Sequence, residues 1–134
     1  MEIDFLSIED VLSIHVDQLT RYGGISGIRD IGLLESAVAM PAMTFDKIYV
    51  HTSLSKMAAA YLFHIARNHP FLDGNKRTAT VAAIVFLRLN GFYLETSDEE
   101  LTQTVLDVVS GTVQKDELAS FIDSHLIEDQ NAAT

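Results

Sequence analysis

The sequence predicts an all-α fold, a compact bundle of six or seven helices in which two buried central helices flank a polar loop. Three observations predict it. The chain has 134 residues, 48% of them hydrophobic and 21% charged, which is one domain's length with enough apolar content to bury a core. Apolar residues recur at helical spacing, and each stretch opens on a capping residue. Gly23-Gly24, Pro41, Pro70, Gly91 and Gly111 fall where those stretches stop.

Ser7, with Asp10 three residues on, opens a capping box, and Ile8, Val11, Leu12, Ile14 and Leu19 follow at helical spacing. Gly23-Gly24 ends that helix in a left-handed turn. Asp30 caps a short second helix to about Met40, closed by Pro41. Residues 42–51 are mixed and read as irregular. Thr52 or Ser53 caps a helix to about Asn68, where Pro70 opposes continuation. Residues 69–74 form a loop, and Asn75 begins a helix to Asn90. Residues 92–95 read as a short extended piece. Ser97 with Glu100 is a second capping box, for a helix to about Val109. A last amphipathic helix runs from about Val113 to Leu126. One domain thus covers residues 1–127, and 128–134 form a polar tail expected to be disordered. Residues 57–66 and 78–89 are apolar nearly all round, which marks them as the buried central pair.

Composition excludes several function classes. There are no cysteines, so disulfide scaffolds, cysteine-ligated zinc and thiol catalysis are excluded. No apolar run approaches the ~20 residues that span a bilayer. The N-terminal segment is acidic and has no basic n-region, so no secretory signal is read and a cytoplasmic protein is expected. Nine Lys+Arg against 19 Asp+Glu give a formal net charge of −10. That balance does not supply the basic face a general nucleic-acid binder needs. A few concentrated cations still suit a small phosphate ligand, because local charge governs such binding.

The cations concentrate between the two apolar helices, in His69-Pro-Phe-Leu-Asp-Gly-Asn-Lys-Arg77. Reactive groups on a loop held by rigid supports are what a preorganised site requires. Gly74-Asn75-Lys76-Arg77 sits where loop becomes helix, and free backbone N–H groups there attract anions. Lys76 and Arg77 oppose the helix dipole at that end, an unfavourable choice unless something negative binds. The plainer reading is two surface cations at a helix start. Asp73 beside a phosphate site suits Mg²⁺, which binds one or two carboxylates together with phosphate oxygens; otherwise it forms only an Asp-Gly turn. The His69 imidazole can accept a proton from a hydroxyl; otherwise it is structural. Phe71 anchors the loop in the core. His15, His51, His64 and His125 show no metal spacing. His64 reads as a hydrogen-bonded core residue.

The loop resembles the Fic/Doc signature, His-x-Phe-x-(Asp/Glu)-Gly-Asn-Gly-Arg-x-x-Arg. Lys76 departs from its third small residue, and Thr80 stands at its second arginine. Both departures resemble the Doc (death-on-curing) toxin branch of toxin–antitoxin systems, as do residues 21–30, Gly32-Leu-Leu-Glu-Ser-Ala and residues 86–91. The resemblance covers roughly residues 5 to 126 and implies a Fic/Doc-type bundle around an active-site loop.

The resemblance also implies chemistry. Fic proteins usually transfer AMP from ATP to a protein hydroxyl, with the second arginine orienting the triphosphate. Doc toxins turn the nucleotide round and transfer the γ-phosphate to a threonine of translation elongation factor Tu, arresting translation. Thr80 and Lys76 favour the kinase outcome. By position, His69 is the base and Asp73 holds Mg²⁺. Gly74, Asn75, Lys76 and Arg77 bind the ATP phosphates, Arg77 being counted with His69 and Asp73 in the catalytic set, and Arg67 assists. None of the eight glutamates is followed by Gly or Asn, so the inhibitory Ser/Thr-x-x-x-Glu-Gly/Asn motif of self-inhibited Fic proteins is not present. A brake in trans is therefore expected, a Phd-type antitoxin whose segment orders on binding. The alternatives are a nucleotidyltransferase and a catalytically idle binding module.

Overall fold

Local sequence decides where each helix begins. The computed structural model describes residues 2–131. The elements are α1 (Ile8–Tyr22), α2 (Ile31–Ala39), β1 (Thr44–Phe45), β2 (Ile48–Tyr49), α3 (Leu54–Asn68), α4 (Asn75–Leu89), β3 (Phe92–Leu94), α5 (Asp98–Ser110), α6 (Lys115–Ser124) and β4 (Leu126–Glu128). Ser7 Oγ accepts from the Asp10 N–H, and the Asp10 carboxylate accepts from the Ser7 N–H, which completes the capping box of α1. Asp30, Ser53 and Ser97 cap α2, α3 and α5 by a single bond each, accepting from the N–H three residues on; the capping box expected at Ser97 stays half-made, because the Glu100 carboxylate accepts from Thr96 Oγ1 instead. Each cap contributes about 1 kcal/mol.

Helices α3 and α4 form the centre, as the all-α reading expects. Helix α3 packs against α2, α4, α5 and α6, and α1 lies across α4. Ala58, Ala59, Ala60, Ala79 and Ala82 are fully buried; side chains this small let neighbouring helices approach closely. Tyr61, Phe86, Leu62 and Ile65 fill the space around them. The buried Tyr61 hydroxyl donates to the Leu6 carbonyl and accepts from its N–H, tying the N-terminal segment to the core. Helix α4 is less enclosed than its composition suggests. Val81 and Ile84 are half-buried, and Leu89 is exposed.

Three segments depart from expectation. Residues 43–50 contain an antiparallel hairpin, β1 with β2, pairing Thr44 with Tyr49 and Phe45 with Ile48. Its turn is Asp46-Lys47, both left-handed (φ 53° and 66°). Helix α6 ends at Ser124 rather than Leu126, and β4 then pairs with β3. Glu128, expected in the polar tail, is therefore part of a strand. Glu128 lies opposite Phe92, and the Asp129 N–H donates to the Gly91 carbonyl at 2.8 Å. Half-buried Leu126, packed on the core, holds β4 in place. The last residues of that tail, 132–134, lie outside the described set. Among the described residues no helix is long and apolar enough to cross a membrane.

Candidate active site

The loop between α3 and α4 is built from its backbone outward. Helix α3 ends on His69 in a left-handed conformation (φ 54°, ψ 53°), which turns the chain sharply and leaves the His69 side chain exposed. Phe71, 1% exposed, pins the loop into the core, and its ring stacks on His15 of α1 at 3.8 Å between centroids with planes 7° apart. His15, itself buried, meets the Asp73 carbonyl with Nε2 at 2.9 Å. A strap preceding α2 runs alongside. The N–H groups of Arg29 and Asp30 both donate to the Pro70 carbonyl, and the Leu72 N–H donates to the Gly27 carbonyl. Exposed backbone is thereby converted into a fixed turn.

Asn75 closes the loop from the α4 side. Its Oδ1 accepts from the Phe71 N–H at 2.9 Å, and its Nδ2 donates to the Phe71 carbonyl at 3.0 Å. The side chain is 6% exposed. Both its polar ends are committed to the loop, so its backbone N–H is what it offers a ligand. Gly74 caps α4 with a left-handed φ of 76°, a conformation that strains any residue with a Cβ. Beyond it, the N–H groups of Asn75, Lys76 and Arg77 have no hydrogen-bond partner among the described residues, and the first turn holds no acidic side chain. The positive end of the helix is left open to an anion.

The charged side chains surround that end. The Asp73 carboxylate accepts from the Gly74 N–H at 2.8 Å and from the Ile25 N–H at 3.1 Å. These two bonds, the Ile25 one first, hold its carboxyl below the ordinary carboxylate range, and the Arg77 charge adds to the effect. Gly24 is needed here, because a Cβ on it would stand 2.8 Å from Asp73 Oδ2. Arg77 Nη2 donates to the Gly23 carbonyl at 3.0 Å while its guanidinium lies over the Tyr22 ring. The Lys76 ammonium is exposed and has no hydrogen-bond or ion-pair partner among the described residues. Together His69, Leu72, Asp73, Gly74, Asn75, Lys76 and Arg77 line a cleft of about 180 Å³, a size for phosphates rather than a whole nucleotide. A larger, mainly apolar groove of about 520 Å³ shares Lys76 and Arg77 and continues past Thr80 between α1, α4 and α5.

Six of the seven expected site residues thus meet at one cleft. Arg67 does not. Its guanidinium lies over Phe63 at 5.4 Å, and Nη1 donates to the Val108 carbonyl at 3.2 Å, which fastens the end of α5 to α3. Sequence reasoning also passed over His15. Its signal was the core-facing stripe of α1, where His15 and Gln18 are buried with Val11, polar groups at positions that otherwise hold apolar ones. Asp73 fits a Mg²⁺ ion as a hard, ionised and partly exposed oxygen donor. Among the described residues no cluster of three His, Asp or Glu side chains could enclose a metal unaided, so phosphate and water oxygens would complete the shell.

Residues 5–87 match the family model described as Fic/DOC family. The chain belongs to the Fic/DOC family. A Toxin Doc from Mycolicibacterium smegmatis is 44% identical over 91 residues, 68% of each chain. Protein kinase doc from Escherichia phage P1 is 36% identical over 102 residues, which is 75% of this chain and 79% of the phage protein.

Proposed function

We propose that this chain is a Doc-type toxin and a protein kinase, transferring the γ-phosphate of ATP to a serine or threonine hydroxyl of a host protein. Elongation factor Tu is the acceptor that the toxin-branch resemblance favours. The observation that carries the reading is the cleft at the start of α4. An open helix N-terminus and the Lys76 ammonium, without a partner among the described residues, line it together with the exposed imidazole of His69 and the ionised Asp73. The phage relative named a protein kinase supports the reaction class. Thr80 supports the direction of transfer. Its Oγ1 donates to the Lys76 carbonyl, and the position brings no second guanidinium to the phosphates.

In this reading the acceptor hydroxyl gives its proton to the His69 imidazole as its oxygen attacks the γ-phosphorus. The bond from that phosphorus to the β–γ bridging oxygen breaks, and ADP leaves. Free N–H groups of α4, Lys76 and Arg77 hold the phosphates in line and stabilise the charge spread over their oxygens. Asp73 would hold Mg²⁺, which supplies charge neutralisation between phosphate groups. Catalysis is then mostly positioning, which suits a loop as heavily tied down as this one.

The relative named Toxin Doc supports restraint in trans by an antitoxin, in this reading a Phd-type protein whose segment orders on binding. The experiment is mass spectrometry of host proteins incubated with the enzyme and Mg-ATP. A phosphate adduct is expected. An AMP adduct would replace the kinase with a nucleotidyltransferase, and no adduct would leave a binding module.

A further inference from the structure

His69 adopts a left-handed backbone at the end of α3, a position that favours glycine or asparagine. For a residue with a Cβ this conformation costs of order 1–3 kcal/mol, and it persists only where the surroundings impose it. One side chain does so. Arg29 Nε donates to the His69 carbonyl at 2.6 Å, and Arg29 Nη2 donates to the Asn68 carbonyl at 2.8 Å. The Asn68 carbonyl lies in the peptide plane before His69, and the His69 carbonyl lies in the plane after it. The relative orientation of those two planes is the φ and ψ of His69. A single rigid guanidinium bridging both carbonyls therefore locks that pair of angles, and with them the direction of the His69 Cα–Cβ bond.

Three further facts fit this assignment. Arg29 forms no ion pair among the described residues, so its charge faces the carbonyl end of α3, where the helix dipole welcomes a cation. Its own backbone N–H is fastened to the Pro70 carbonyl at 2.7 Å, so main chain and side chain grip consecutive peptide units of the same turn. Its planar fork spans two acceptors at once, which a lysine ammonium does not reproduce. We propose that Arg29 is a positioning residue that aims His69 into the phosphate cleft without touching the reacting atoms. The proposal rests on the reading of His69 as the proton acceptor.

The test compares wild type with Arg29→Ala and Arg29→Lys. With ATP varied, Arg29→Ala should lower kcat about 10- to 100-fold, the scale of a small misplacement of a catalytic group, and leave KM for ATP within twofold. Arg29→Lys should fall between. Millimolar guanidinium chloride should restore part of the Arg29→Ala rate and leave wild type unchanged. A wild-type kcat in Arg29→Ala, a matching rise in KM, or no rescue would overturn the proposal. NMR separates this from the kinase reading itself. Even if wild type transfers no phosphate, Arg29→Ala should shift the His69 backbone and ring resonances and speed exchange of the His69 and Leu72 amides. Unchanged spectra would overturn the lock whatever the activity.

Discussion

Replacing Asn75 by alanine separates two roles that sequence alone does not distinguish, gripping phosphate and holding the loop. The side chain accepts from the Phe71 N–H and donates to the Phe71 carbonyl, and Phe71 is 1% exposed. Truncation strands both backbone groups where water reaches them poorly. Each unsatisfied group costs about 1–3 kcal/mol, so the pair costs about 2–4 kcal/mol after partial rescue by water. For a chain of this size that is a fall in Tm of roughly 10 °C. Asn75→Asp keeps the acceptor but sets a carboxylate oxygen against the Phe71 carbonyl, and it should destabilise comparably. Thermal unfolding by circular dichroism is the assay, with transfer measured beside it. If Asn75→Ala melts within about 2 °C of wild type yet loses transfer, the side chain grips phosphate and the scaffold argument is refuted.

Other expectations follow from single contacts. Gly24→Ala brings a methyl group to 2.8 Å from Asp73 Oδ2; kinase assays should show weakened Mg²⁺ dependence and transfer, while circular dichroism shows helix content preserved. Lys76→Ala should weaken Mg-ATP binding about 10-fold by calorimetry, the order of one charge-assisted phosphate contact, with Tm unchanged or slightly raised as repulsion at the start of α4 is relieved; unchanged affinity would remove Lys76 from the site. Stability should fall as pH drops from about 6.5 to about 4. Burial, with Lys115 and His51 nearby, lowers His64 to about 4, so the unfolded chain binds a proton there before the folded one does. The full shift corresponds to about 3 kcal/mol, and solvent screening of the half-buried ring reduces it to roughly 1–2 kcal/mol. Denaturant melts at several pH values check this. His64→Gln should flatten the profile, and an unchanged slope would contradict the assignment.

What the sequence made legible followed from local chemistry. Ser7, Asp30 and Ser97 announce helix starts because their side-chain oxygens meet N–H groups three residues on, and those bonds are present. The loop 69–77 was legible because two cations at a helix start conflict with the dipole. The hairpin was not, because Asp46-Lys47 reaches its left-handed turn without glycine, the usual signal. Strand β4 was hidden because its pairing with β3 joins segments more than thirty residues apart. Arg67 was misplaced for a similar reason. Its nearness to the motif in sequence says nothing of Val108, which α5 brings to it from 41 residues away. The division of labour between Asn75 and Lys76 also depends on tertiary contacts, since only the folded loop shows which side chain is already occupied.

Position-specific label decides whether the cleft at the start of α4 carries out γ-phosphoryl transfer with His69 as the base. The direct measurement incubates the purified chain with Mg²⁺, a bacterial lysate, and ATP labelled at either the α or the γ phosphate, beside a His69→Ala variant of unchanged helix content. Label should pass to a protein band from the γ position only, and the variant should transfer none. Label arriving from the α position, or persisting in the His69→Ala variant, would contradict the account.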